Sequence, residues 1–212
     1  MKPNLPTLLV VLTFFILAVS MLDPRFPQDQ LLQHIPTVPS MLLILFGTRR
    51  NWWSTRAVLC LMIFAWLHIL GARFVYSCVP YDEWSQSLFG VSLSKTFGWR
   101  RNHYDRLVHF LFGVVMVLPV AEILSLRGIR NRRDNLIYTF CFLTTVSAIY
   151  EIMEWGAAVV MSPDRAEAYN GQQGDLWDAQ KDMALAALGS LISLPFVART
   201  ILLKDSSRNT AA

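Results

Sequence analysis

Six long apolar blocks, separated by short polar segments, constrain this chain more than any other feature of its sequence. A helix needs ~20 mostly apolar residues to cross a ~30 Å hydrocarbon layer, because each residue adds only ~1.5 Å. Six such helices and modest loops use up the 212 residues and leave no room for a soluble domain. We therefore predict an all-α, polytopic transmembrane bundle that forms one integral membrane domain. The predicted spans are residues 5–22, 31–47, 57–78, 105–126, 136–160 and 180–203.

Two of these blocks have alternative interpretations. His34, Pro36 and Pro39 interrupt the second block, so it is either a complete span or a short, kinked or re-entrant segment. The first block resembles a signal peptide, because Lys2 precedes an apolar run. Residues 18–20 make a poor cleavage site, and an uncleaved anchor is the favoured interpretation.

Lysine and arginine indicate the orientation of the chain. They are more numerous in the segments that are cytoplasmic if the N-terminus is inside, which predicts that both termini are cytoplasmic. The net charge of +4 comes from short clusters between apolar blocks, so it indicates the lipid bilayer as partner and no nucleic acid. The cytoplasmic set is Lys2, Arg49, Arg50, Arg56, Arg127, Arg130, Arg132, Arg133, Arg199, Lys204 and Arg208, against Arg25, Lys95, Arg100, Arg101, Arg165 and Lys181 outside.

Two predicted outer loops are long. Residues 79–104 are rich in aromatic side chains, which favours a position at the headgroup level and a short interfacial helix around Asp82 to Phe89. Residues 161–179 contain Pro163, Asn170-Gly171 and Gly174, which predict repeated turns. The three cysteines imply no disulfide, because Cys60 and Cys78 lie far apart on one predicted helix and Cys141 lies near the cytoplasmic end of another.

Ionisable residues within the spans are the main functional signal. Each costs ~2.5–3.5 kcal/mol at the bilayer centre on insertion scales, so such residues usually face a polar interior. The predicted topology places all of these candidates in the outer half of the membrane, although they come from three sequence regions. This arrangement predicts a shared outward-facing pocket. Its candidate residues are Asp105, His109, Glu151, Glu154, Asp175, Asp178 and Asp182.

Helical phase supports the same pocket independently of depth. Along each of the last three spans the acids recur with small or polar residues at steps of three and four, which places them on one helix face. Small residues permit close helix contacts in membranes, so these faces should point into the bundle. The predicted faces are Asp105, His109 and Gly113; Thr144, Ser147, Glu151, Glu154 and Ala158; and Asp178, Asp182, Ala186, Gly189 and Ser193.

Crowded carboxylates in a low-dielectric site must share protons, pair with cations or hold a metal ion. Carboxylate and imidazole ligands together suit zinc, manganese or iron better than copper(I). A metal-activated water or a carboxylate base could then act on a lipid-linked or amphiphilic substrate. The candidate metal ligands are His109, Asp105, Glu151, Asp178 and Asp182, and the candidate catalytic residues are Glu151, Glu154, Asp105 and His109.

Two other interpretations of the acids stay open from the sequence. The acids could belong to a proton- or cation-coupled transporter, although Glu122 lies near the cytoplasmic end and no path of charges crosses the inner half. Glu151 and Glu154 could instead pair with Arg73 and Arg106 and only fix helix register, as in a structural or assembly protein. His68 is more typical of a hydrogen-bonded packing residue, and at most one of His68 and Arg73 should enter the pocket because they lie ~140° apart on the helix.

Three sequence blocks resemble those of the bacterial YjdF-like inner-membrane proteins. The blocks are NHYDRLVHFLFG at 102–113, YEIMEW at 150–155 and GDLWDAQKDMALAALG at 174–189. This resemblance implies a multi-pass protein of the bacterial inner membrane and assigns no catalytic residue. The last block also resembles the final helix of VanZ-like membrane proteins, in which acids precede a helix of small residues.

Overall fold

A computed structural model of the chain describes the backbone of residues 4–160 and 171–209, and the side chains of residues 4–160 and 171–200. Within these ranges every regular element is a helix, which confirms the all-α prediction. The helices are α1 (Leu5–Ser20), α2 (Pro27–Arg49), α3 (Thr55–Arg73), α4 (Tyr81–Phe89), α5 (Leu93–Phe97), α6 (Tyr104–Leu126), α7 (Arg132–Val160) and α8 (Asp178–Asn209).

Five of these helices are long and apolar enough to cross a membrane: α2, α3, α6, α7 and the first part of α8, Asp178–Thr200. The sixth apolar helix, α1, has 16 residues and is therefore only ~24 Å long at ~1.5 Å per residue. The polytopic helical bundle is thus confirmed, with α1 shorter than the other five. The second block forms one continuous helix of 23 residues despite Pro36 and Pro39, which favours a complete span over a re-entrant segment.

The third span was predicted to reach residue 78, but α3 ends at Arg73. The chain turns there because Val75 and Tyr76 have positive φ angles of 53° and 46°. Tyr76 folds back, and its backbone N–H donates to the carbonyl of Gly71 at 2.7 Å. The Tyr76 ring packs where a Cβ on Gly71 would lie, 2.7 Å from the ring. Cys78 lies beyond α3, so the prediction of Cys60 and Cys78 on one helix was wrong.

The two ends of the bundle are defined by contacts between helix termini. At one end Arg73 of α3 donates to the backbone carbonyl of Ser20, the last residue of α1, and to that of Leu22 (3.1 Å). At the other end the backbone N–H of Ser54, which precedes α3, donates to Glu122 of α6 at 2.7 Å. Sequential long helices therefore run antiparallel. We call the end at which α3 and α7 finish and α6 and α8 begin the site end.

Helix α6 lies at the centre of the bundle and packs on α3, α7 and α8, most extensively on α8. Two glycines allow this contact. A Cβ on Gly113 of α6 would collide with the Ala186 carbonyl oxygen of α8, and one on Gly189 of α8 would collide with the Phe110 carbonyl oxygen of α6. Small residues let the two backbones approach closely. This contact fixes the relative position of the residues that precede Gly113 on α6 and Gly189 on α8, at the site end.

The outer faces of the long helices are apolar. Phe15, Leu42, Phe142, Ile149 and Leu191 are each more than half exposed. Polar side chains lie instead in the interior of the bundle. An apolar exterior around a partly polar interior is the arrangement expected of helices surrounded by lipid.

The loop between α3 and α6 contains the predicted short helix, which is α4. Asp82 organises this loop, because its carboxylate accepts hydrogen bonds from the Ser94 N–H (2.9 Å) and the Ser92 hydroxyl (3.1 Å). Hydrogen bonds from Ser94 and Ser92 lower the pKa of Asp82. In the second long loop, Gly171 and Gly174 adopt positive φ at turns, whereas the turns predicted at Pro163 and Asn170 lie outside the described residues.

Candidate metal centre

The predicted inward faces of α6 and α8 are buried in the structure. Asp105, His109 and Gly113 follow one another on α6, and the whole predicted face of α8 from Asp178 to Ser193 is buried. On α7 the buried residues recur every four positions, and only part of the predicted face is buried. Ser147 and Glu151 are buried, whereas Thr144, Glu154 and Ala158 are half-buried. The buried positions of α7 are Asn135, Thr139, Leu143, Ser147 and Glu151.

Four side chains from three helices meet at the site end. A ligand atom from each of Asp105, His109 and Asp182 lies within 4.8 Å of the other two. The Nε2 atom of His109 is 3.7 Å from an oxygen of Asp105 and 3.3 Å from Oε1 of Glu151. Their exposures are 7% for Asp105, 8% for His109 and Glu151, and 2% for Asp182. We call these four residues the acid-histidine cluster.

Two oxygens of the cluster are buried without hydrogen-bond partners among the described residues. They are Oε1 of Glu151 and Oδ1 of Asp182. A buried acceptor that makes no hydrogen bond costs ~1–3 kcal/mol, and more if it is charged. The cluster is therefore costly as an isolated set of side chains and is stabilised by any cation that its oxygens can reach.

The spacing of these atoms is close to that of ligands around a metal ion. Tetrahedral zinc with bonds of ~2.0–2.1 Å places its ligand atoms roughly 3.3 Å apart. The separations of 3.3 Å and 3.7 Å around His109 Nε2 are near this value. One imidazole and three carboxylates also form a donor set suited to zinc, manganese or iron(II). The residues present therefore fit a divalent transition-metal ion.

Asp178, a fifth predicted ligand, is engaged by two arginines. Its Oδ2 accepts from Arg101 and its Oδ1 from Arg106, each at 3.0 Å. Arg101 also donates to the backbone carbonyls of Gly171 (3.1 Å) and Gln172 (3.0 Å), which ties the loop before α8 to the start of α6. Both oxygens of Asp178 are thus already in hydrogen bonds. Sequence reasoning missed Arg101, which it treated only as a loop charge.

Asp175 lies just before α8 and forms ion pairs with neighbouring basic side chains. Its carboxylate pairs with Arg106 and with Lys181, and it accepts a hydrogen bond from the Trp177 N–H at 3.1 Å. The hydrogen bonds from Lys181 and from the Trp177 N–H, with that from Arg106, hold the pKa of Asp175 below its ordinary value. Asp175 therefore acts as the anchor for this loop.

The alternative in which Glu151 and Glu154 pair with Arg73 and Arg106 is not observed. Arg106 binds Asp175 and Asp178, and Arg73 donates to carbonyls at the end of α1. Neither arginine is therefore the partner that would make the two glutamates a register-fixing salt bridge.

His68 lies outside the cluster and makes two hydrogen bonds. Thr37 donates its own proton to the carbonyl of Gln33, so it accepts from His68 Nε2 at 2.7 Å. His68 Nδ1 then accepts from the Tyr76 hydroxyl at 2.5 Å. The packing interpretation of His68 is supported. The neighbouring His34 was not among the predicted site residues; its ring lies 5.8 Å from that of His68, and the residue is 4% exposed.

A cavity of about 390 Å³ lies beside the cluster, between α7 and α8. Glu151, Glu154 and Asp182 line it together with apolar side chains that include Trp155 and Leu176. Trp155 is 68% exposed and Leu176 is 90% exposed, so this apolar part faces the exterior of the bundle. The cavity therefore connects the buried acids with the surface of the helices.

Six apolar helices with a polar, acid-rich interior define a polytopic α-helical membrane protein. The chain belongs to the family described as "Predicted membrane protein (DUF2238)", whose match covers residues 5–202. It is 33% identical over 171 residues to the inner membrane protein YjdF of Escherichia coli (strain K12), a similarity that covers 80% of this chain and 77% of that protein. No solved structure matches the chain. The resemblance to YjdF-like proteins is thus confirmed, and the chain is a multi-pass inner-membrane protein.

Proposed function

We propose that the acid-histidine cluster binds one divalent metal ion, and that the protein is a membrane enzyme using this ion on a lipid-linked or amphiphilic substrate. One observation carries the proposal. Two buried carboxylate oxygens, on Glu151 and Asp182, have no hydrogen-bond partner among the described residues. The Glu151 oxygen lies 3.3 Å from His109 Nε2, and a ligand atom of Asp182 lies within 4.8 Å of one of His109. A metal ion bound between these side chains would provide a partner for both oxygens.

The proposed ligands are Asp105, His109, Glu151 and Asp182. Asp178 supports this set without joining it, because its two oxygens accept hydrogen bonds from Arg101 and Arg106. A dication neutralises most of the charge of three clustered carboxylates, which removes the main cost of burying them. The imidazole adds one nitrogen ligand that is compatible with zinc, manganese or iron.

The catalytic part of the proposal uses the cavity beside the ligands. A metal ion in such a site supplies a Lewis acid and lowers the pKa of a bound water. Glu154 lines the same cavity and is placed to exchange a proton with a reacting group there. Trp155 and Leu176 border the cavity on the exposed side, where an amphiphile could enter from the bilayer.

We also infer that the site end faces the periplasm and that both termini are cytoplasmic. The distribution of lysine and arginine supports this orientation. Cys78 is exposed and follows α3 at the site end, so it provides a natural reporter. A membrane-impermeant maleimide should label Cys78 in intact cells, and labelling only after lysis would reverse the orientation.

The transporter alternative has less support. Along α6 the buried positions beyond the cluster are Gly113, Val117, Pro119 and Ala121, none of which carries a charge. Glu122 lies at the opposite end, where it accepts the N–H of Ser54. Metal-dependent uptake into proteoliposomes would favour transport, whereas bound metal without uptake favours the enzyme.

Titration of the purified protein with Mn²⁺, followed by electron paramagnetic resonance, tests the proposed site. The wild type should bind about one Mn²⁺ per chain, and His109→Gln should bind it at least tenfold more weakly. His68→Gln is the matched control, because it replaces a half-buried histidine that lies outside the cluster and should leave Mn²⁺ affinity unchanged. Unchanged Mn²⁺ affinity in a folded His109→Gln variant would contradict the site.

A further inference from the structure

The cavity between α7 and α8 combines buried acids with an apolar border. Its volume of about 390 Å³ is within the ~300–1,000 Å³ of typical small-molecule sites. Asp182 and Glu151 are nearly fully buried, while Ile152 is 61% exposed and Trp155 68% exposed. A ligand in this cavity therefore meets carboxylates at its inner end and apolar side chains near the exterior.

The charge of the lining is of one sign. Glu151, Glu154, Asp178 and Asp182 contribute carboxylates, and no lysine, arginine or histidine is among the described residues that line the cavity. Asp178 is balanced by the two arginines behind it. A divalent ion on the cluster leaves the carboxyl group of Glu154 facing the cavity together with the excess charge of three carboxylate ligands.

This arrangement discriminates between headgroups. An anionic headgroup would lie against like charges, which is costly in a site of low dielectric constant. A cationic headgroup would be attracted by the excess negative charge of the ligands and by the carboxyl group of Glu154. The indole of Trp155 borders the same cavity and can add a cation–π interaction, for which tryptophan is the best aromatic partner.

We propose that the cavity binds an amphiphile with an ammonium headgroup, which enters from the bilayer between α7 and α8. This inference rests on the proposed function, because it names the substrate class of the same site. The headgroup lies near Glu154 and Trp155, and the alkyl chain leaves past Ile152 and Leu176 into the lipid.

Calorimetric titration of the full chain in dodecyl maltoside micelles tests the proposal, with empty micelles subtracted. Decyltrimethylammonium is the probe, and decanoate is the anionic counterpart with a chain of similar length. Saturable binding of about one decyltrimethylammonium per chain is expected, with decanoate at least tenfold weaker. Tighter binding of decanoate would overturn the proposal.

Substitutions locate the binding. Glu154→Gln should weaken decyltrimethylammonium binding about tenfold, while Glu83→Gln, which removes an exposed acid of α4, should leave it unchanged. Ala148→Trp fills the cavity lining without changing a charge and should abolish binding. Binding that survives both Glu154→Gln and Ala148→Trp would be partition into the micelle and would refute the assignment.

Metal content measured on the same samples separates the two claims. Metal bound at one ion per chain without decyltrimethylammonium binding would end this inference and leave the metal centre standing. Saturable decyltrimethylammonium binding in a protein that holds no metal would support the cavity assignment and overturn the metal-dependent function.

Discussion

The imidazole Nε2 of His109 on α6 lies 3.3 Å from Oε1 of Glu151 on α7. Both side chains are buried, and the Glu151 oxygen has no hydrogen-bond partner among the described residues. Asp182 of α8 completes the contact between three helices from separate parts of the sequence. The position of these groups depends on how closely α6 and α8 approach, on the ion pairs at the start of α8 and on the proposed metal.

The close contact of α6 and α8 should be sensitive to a single added methyl group. Gly113→Ala places a Cβ against the Ala186 carbonyl, so the helices must separate, at a cost of about 1–3 kcal/mol. Thermal unfolding in detergent measures this loss. Gly156→Ala is the matched control, because a Cβ there has no neighbour within 4 Å and alanine favours a helix. A lower unfolding temperature for Gly156→Ala than for Gly113→Ala would contradict the packing described.

The Arg101–Asp178 pair should contribute measurably to stability, because its side chains are only 9% and 4% exposed. Arg101→Gln removes hydrogen bonds to a buried carboxylate that keeps Arg106 as partner, and should cost about 1.5–3 kcal/mol. Chemical unfolding in detergent gives the value. Arg100→Gln, at the exposed neighbouring position, should change stability by less than about 0.5 kcal/mol. Equal effects of the two substitutions would argue against the pair.

The Asp175 anchor should make stability depend on pH in the acid range. The pKa of Asp175 is lower in the folded protein than in the unfolded chain, so its stabilising effect is complete above about pH 4 and is lost as the pH falls below that value. Asp175→Asn should therefore unfold at a lower temperature than the wild type at pH 7. The difference should shrink at pH 3, and a difference that grows towards acid pH would contradict the lowered pKa.

Much of the fold and of the cluster could be predicted from the sequence because both follow periodic patterns. The spacing of Asp105, His109 and Gly113 on α6 and of Asp178 and Asp182 on α8 places each set on one helix face. Small residues on those faces indicated close packing, which Gly113 and Gly189 provide. The predicted topology then indicated that the acids of these faces lie at a similar depth in the membrane.

Contacts made by loops could not be predicted in the same way, because side chains in a loop do not follow the regular repeat of a helix. Arg101 lies in the segment before α6, and only the folded chain brings it to Asp178 and to the carbonyls of Gly171 and Gln172. Arg73 was a candidate partner for the glutamates, but the turn after α3 leaves it beside Ser20. The end of α3 at Arg73 was also not predicted. Val75 adopts a positive φ there, which a β-branched residue rarely does, so its residue type does not indicate a turn.

Elemental analysis of protein purified in detergent tests the metal centre most directly. The wild type should contain about one zinc, manganese or iron ion per chain. The double variant Glu151→Gln, Asp182→Asn should contain almost none while its circular dichroism and elution volume stay unchanged, because the two amides have nearly the same shape as the carboxylates that they replace. A metal-free wild type, or a variant with the same metal content as the wild type, would contradict the account.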